Sequence, residues 1–204
     1  MKNPILIVFV LLTLISCVKE KSNKQKDKYV EPKIKVEKNT TDIPKEDLEI
    51  KVDKAYIGMS ISELKSVYGS AEFIEQPVYE YGIDGDSKGL VVKQNDKRLF
   101  FVWTLQGEKK IHGMTILSDS IIIDRNVHVG MTLKSFMVKY PEATVQIDMI
   151  DERYEYLNVP RLSYRPEFLT MDSTRVASYD YEQPEPEFKN IKKPEARIER
   201  ISMN

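Results

Sequence analysis

The chain of 204 residues has one cysteine, Cys17, and two histidines, His112 and His128. A single thiol excludes an internal disulfide and any site built from clustered cysteines. Neither histidine sits on a recognisable helix with a second ligand three or four residues away, the spacing a helical metal site uses. There is no G-x-S-x-G elbow, no P-loop and no G-x-G-x-x-G turn, so a serine hydrolase or a nucleotide enzyme has no support. No apolar run reaches the ~20 residues of a membrane-spanning helix. The net charge of −1 gives no electrostatic case for a nucleic-acid partner. No cofactor and no metal is expected.

What is present begins at the N-terminus. Lys2 precedes an apolar run from Ile5 to Ile15, broken only by Thr13. That length fits the h-region of a secretory signal and is too short to span a bilayer. The run ends Leu14-Ile15-Ser16-Cys17, which resembles the lipobox of bacterial lipoproteins. The resemblance implies cleavage between Ser16 and Cys17 and a diacylglyceryl thioether on Cys17. Acyl chains would then hold the protein on the membrane, each buried methylene contributing about 0.8 kcal/mol. Val18 rather than Asp at the next position resembles sorting to the outer membrane.

Residues 18–47 lack both arginine and glycine and carry one aromatic, Tyr29. Lysine and acidic residues dominate. Such a segment buries too little apolar surface to offset its ordering entropy. The expected organisation is a signal peptide at 1–16, a lipidated tether at 17–47, and two α+β repeats at 48–125 and 126–204.

The repeat is written in the sequence. Ile57-Gly58-Met59-Ser60 returns as Val129-Gly130-Met131-Thr132, 72 residues later. Leu64 and Tyr68 follow the first phrase, and Phe136 and Tyr140 the second, at helical spacing. Ser60 and Glu63 form an S-x-x-E capping pattern, and Thr132 caps the second helix without the acidic partner. Gly69 and Pro141 stop the helices. Strands are expected at 73–81, 89–94, 98–105 and 110–118 in the first copy. In the second copy they are expected at 144–150, 153–157, 161–164, 175–182 and 196–203. Helices on one face of an antiparallel sheet make the class α+β. A G-M-[ST] phrase opening a short helix before antiparallel strands resembles the β-lactamase-inhibitor-protein-like superfamily. It also resembles the small lipoprotein of the outer-membrane barrel-assembly machinery, and the tandem copy favours the former. The resemblance concerns fold and assigns no binding residue.

For chemistry the sequence offers little. Asp84-Gly85-Asp86-Ser87-Lys88-Gly89 resembles a calcium loop but has Lys88 where an oxygen ligand belongs, so it reads as a hairpin turn. Asp148, Asp151 and Glu152 read as a solvated acidic turn. The tyrosines pair at i, i+2: Tyr79/Tyr81, Tyr154/Tyr156 and Tyr179/Tyr181. On a strand each pair shares a face. Tyr154, Tyr156, Tyr179 and Tyr181 lie among charges and are the candidates for an exposed protein-binding face, whereas Phe101 and Trp103 are expected to be buried. Residues 183–194, with three prolines, read as a loop between the last two strands. The expectation is a non-catalytic, membrane-anchored envelope protein that binds a protein partner in an inhibitory, immunity or assembly role. The alternative is a small-molecule or glycan binder that stacks sugars on the paired tyrosines.

Overall fold

The computed structural model describes residues 51–182 and 186–204. Ser16, Cys17, the tether 17–47 and residues 183–185 lie outside the described residues. The order is β1 (Lys51–Val52), β2 (Ala55–Tyr56), α1 (Ile61–Val67), β3 (Glu72–Pro77), β4 (Lys88–Gln94), β5 (Lys97–Trp103), β6 (Gly113–Ile116), α2 (Leu133–Lys139), β7 (Thr144–Ile147), β8 (Tyr154–Asn158), β9 (Tyr164–Leu169), β10 (Ala177–Asp180), β11 (Glu187–Ile191) and β12 (Arg200–Met203). Eight strands form one antiparallel sheet in the order β3-β4-β5-β6-β12-β9-β8-β7. With two α-helices of seven residues each among the described residues, the fold is mainly β rather than an even α+β mixture.

Both helices start by the same construction. Gly58 and Gly130 take positive φ of 92° and 88°, a region a side chain disfavours. Ser60 Oγ accepts from Glu63 N at 3.2 Å, and Thr132 Oγ1 from Ser135 N at 3.1 Å. These bonds satisfy orphan donors of the first turn. The reciprocal half of the capping pattern is not made: Glu63 takes the Tyr56 hydroxyl at 3.2 Å instead. Each entry is then pinned to a segment that leads into a central strand, β6 for the first and β12 for the second. Gly58 N donates to Ile111 O at 2.8 Å, and Gly130 N to Ile198 O at 2.8 Å. Residues near 110 and 197 therefore pair with the helix entries, at Ser60↔Lys110 and Thr132↔Arg197, and β6 and β12 are shorter than expected.

Two helices of two turns cannot stand alone, so tertiary packing holds them. Leu64 from α1, and Leu133 and Phe136 from α2, enter one buried cluster with Phe100, Met114, Ile116, Leu157 and Ile201 from the sheet. Each helix ends in a tyrosine that reaches back to an aspartate upstream of its glycine. Tyr68 donates to Asp53 Oδ2 at 2.8 Å, and Tyr140 to Asp124 Oδ2 at 2.7 Å.

Three segments depart from expectation. The first strand ends at Pro77, and Val78–Tyr81 forms a 3-10 turn closed by Gly82 in the left-handed region. Tyr79 and Tyr81 therefore do not share a strand face: Tyr81 is buried and Tyr79 exposed. The third strand of the second half lies at Tyr164–Leu169 rather than 161–164, with Pro166 inside it. Its ladder with β8 reaches Tyr156↔Glu167 and stops beside that proline, which has no N–H to donate. Finally, β11 forms within the stretch read as a loop and pairs with β10 as a separate hairpin.

Candidate functional site

The side of the sheet away from the helices holds the groups with chemical potential. Side chains alternate along a strand. Phe101, Trp103, Thr115, Ser202, Arg200, Arg165, Glu167, Tyr154 and Tyr156 thus stand opposite the helix-side cluster. Over the first half, the turn Val78–Tyr81 and Ile83 cross this face as a strap. Tyr81 stacks on Phe101 with ring centres 3.7 Å apart and planes 5° from parallel. Val78 and Val91 complete this second, smaller apolar cluster. Arg98 holds the strap's edge by donating to Gln76 Oε1 at 2.8 Å and to the Tyr81 hydroxyl.

Over the second half the face is charged, with Glu167 and Arg200 buried and Arg165 partly exposed. Arg200 on β12 donates through Nε to Glu167 on β9, and both side chains are buried. Its Nη1 donates to the Glu80 carbonyl at 3.0 Å, so the strap is fastened across the middle of the sheet. The Arg200 guanidinium also lies 3.6 Å from the Tyr154 ring centre. Arg165 faces Glu167 at 3.3 Å and Asp148 at 3.5 Å, and lies 4.9 Å from the centre of the Tyr156 ring. Such contacts are favourable to a cation once water is excluded.

The acidic turn is a correction to the sequence reading. Asp148 and Asp151 are buried. Asp148 Oδ1 accepts from Ile150 N at 2.9 Å and Asp151 N at 3.1 Å, which folds the turn over its own carboxylate. Asp151 accepts two bonds of 2.8 Å from Arg153. This fork holds the Asp151 carboxyl below the usual carboxylate range, against the opposing effect of burial.

The four candidate tyrosines separate. Tyr154 and Tyr156 are half-buried on the charged face, and the Tyr156 hydroxyl donates to Gln146 at 2.6 Å. Burial pushes the Tyr154 hydroxyl pKa up. Tyr181 is exposed, lying beyond the end of β10. Tyr179, expected at the surface, is buried, and its hydroxyl donates to Glu155 at 2.5 Å. Phe101 is buried as expected, and Trp103 is half-buried. His112 lies against Trp103, with ring centres 4.7 Å apart, and His128 Nδ1 sits 2.8 Å from Val129 O.

Sequence reasoning missed an apolar group at one end of the second half. Met149 and Ile150 in the β7–β8 turn, and Leu169 and Met171 at the end of β9, are all exposed. The Thr170 N–H donates to Arg153 O at 2.7 Å, which ties the two segments together. A Met-Ile pair inside a turn and a Leu-Thr-Met run after a strand were the available signals. Among the described residues no group of three or more His, Cys, Asp or Glu is placed to hold a metal, and no helix is long and apolar enough to cross a membrane. No family model, curated protein or solved structure matches the chain.

Proposed function

We propose that the chain is a lipid-anchored envelope protein, held through Cys17 on the outer membrane, whose folded part binds a protein partner without catalysing a reaction. The observation that carries the binding reading is the exposed set Met149, Ile150, Leu169 and Met171, tied together at one end of the sheet. Single exposed apolar residues are ordinary, but a grouped set marks an interaction surface. Methionines adapt to a partner's shape, and the neighbouring Tyr154 and Tyr156 are of the kind that anchor interfaces. The acids nearby support binding over catalysis, because Asp148, Asp151 and Glu167 each face an arginine rather than standing as free acid or base.

We infer too that 48–125 and 126–204 are copies of one unit. The matched helix entries, the matched tyrosine–aspartate bonds and a sheet order that mirrors itself about β6-β12 support this. The likeness to β-lactamase-inhibitor-type units belongs to the same proposal, as do the inhibitory, immunity or assembly roles it suggests.

A photo-crosslinking residue placed at Ile150 in the living cell should capture one defined protein. The same residue at Val138, exposed on α2, should not. Equal capture at both positions, or none at Ile150, overturns the binding reading. The anchor is tested separately: Cys17→Ser should abolish labelling by radioactive palmitate, and persistent labelling would refute it.

A further inference from the structure

The methionines divide sharply by exposure. Met59, Met114, Met131 and Met203 are buried in the helix-side core, and Met137 on α2 is half-buried against it. Met149 and Met171 are 69% and 70% exposed. They lie on separate segments, the β7–β8 turn and the end of β9. The Tyr154↔Leu169 pair and the 2.7 Å bond from Thr170 N to Arg153 O bring those segments to one end of the sheet. Among the described residues, every strongly exposed thioether therefore belongs to the apolar group with Ile150 and Leu169. Cys17 is the only cysteine, so residues 51–204 hold no thiol to compete for an oxidant.

The backbone at both methionines is held by bonds that do not use the thioether. The β7–β8 turn closes on Asp148 Oδ1, which accepts from Ile150 N at 2.9 Å and Asp151 N at 3.1 Å. Met171 N donates to Thr174 Oγ1 at 2.6 Å. Oxidising these two sulfurs thus leaves the fold's own contacts in place. A sulfoxide at Met114 or Met203 would instead bury a polar oxygen in an apolar core, which costs free energy. At the exposed positions the same penalty falls on an interface. A partner that covers Met149 and Met171 has to bury two polar oxygens where it met apolar sulfur.

We propose that Met149 and Met171 are a paired oxidation site, and that their conversion to sulfoxides releases the protein partner. The release step rests on the protein-binding reading. The oxidant is a peroxide. The sulfur lone pair attacks one peroxide oxygen, the S–O bond forms and the O–O bond breaks. The second oxygen leaves with the proton of the first, so hydrogen peroxide yields one sulfoxide and one water. Sulfur is oxidised by two electrons and the peroxide is reduced by two. Methionine sulfoxide reductases, one for each sulfoxide epimer, reverse the change.

The full chain in detergent is treated with hydrogen peroxide, and each methionine is followed by peptide mapping in a mass spectrometer. Met149 and Met171 should oxidise about tenfold or more faster than Met59, Met114, Met131 and Met203, which react only through opening of the core. The urea midpoint should not move when these two alone are oxidised. In isolated membranes carrying the photo-crosslinker at Ile150, peroxide should cut capture about fivefold or more, and the two reductases should restore it. Met149→Leu with Met171→Leu should keep capture and make it insensitive to peroxide. Equal oxidation rates across the methionines, or a lowered urea midpoint, overturn the site. Undiminished capture with both sulfoxides present, or a peroxide effect that survives in the double leucine variant, overturns the release. Absence of capture before peroxide sinks the protein-binding reading and the release with it, while the mapping still decides the oxidation site.

Discussion

Tyr179 points into the helix-side core and donates its hydroxyl to the Glu155 carboxylate at 2.5 Å. Glu155 is fully buried and also accepts from Val176 N at 2.7 Å and Ala177 N at 3.3 Å. One acid on β8 thus seats the start of the β10–β11 hairpin. Glu155→Ala should cost about 3–5 kcal/mol, because three donors lose their acceptor in a buried place. Glu155→Gln keeps one acceptor oxygen and should cost about 2 kcal/mol. Urea unfolding followed by circular dichroism measures both.

Alkaline pH should destabilise the fold. Tyr68, Tyr164 and Tyr179 have hydroxyl pKa values raised well above the ordinary range, first by burial and also by side-chain hydrogen bonds, with the Lys54 N–H acting in the opposite direction at Tyr68. The unfolded chain releases those protons near pH ~10, while the folded chain keeps them. Stability from these groups is therefore complete below pH ~10 and falls above it, by about 1.4 kcal/mol per pH unit for each tyrosine. Urea midpoints from pH 8 to 11.5 should stay level and then drop. Phenolate absorbance in native protein should show these three rings titrating only on unfolding.

Breaking the Arg200–Glu167 pair one side at a time should cost far more than removing it whole. Arg200→Met leaves a buried carboxylate and frees the strap at Glu80, so a loss of about 3–5 kcal/mol is expected. Adding Glu167→Leu should return much of that loss, since a buried ion pair often breaks even against apolar side chains. A double-mutant cycle in denaturant reads the coupling.

Acid should act through the Asp151–Arg153 fork. The folded Asp151 pKa is lowered, so its contribution is present above the unfolded value of ~3.9 and is lost as pH falls through the folded one. Arg153→Gln should raise the Asp151 pKa, as followed by carboxyl carbon NMR, and should lift the pH midpoint of acid unfolding.

The helix starts were legible because glycine, cap and apolar spacing fall within a dozen consecutive residues around Gly58 and Gly130. Strands β4 and β5 were legible because turn residues bracket them. The strand at Tyr164–Leu169 was missed because Pro166 disguises it, and β11 because its residues are mostly exposed and flanked by prolines. Tyr179 and Tyr181 were read as one face, but β10 ends at Asp180 and the alternation ends with it. The charged side was invisible for a different reason. Acids in a sequence read as solvated, and only strand register brings Glu167 opposite Arg200.

The middle of the sheet is its least local part. Strands β3 to β6 pair in sequence order, whereas the β6–β12 ladder brings together Thr115 and Ser202, 87 residues apart. Non-local pairings form slowly, because chain closure must precede their reward. During folding, each half therefore presents an open strand edge until the two meet. Mutations that slow that meeting should aggregate the protein even where they leave its final stability intact.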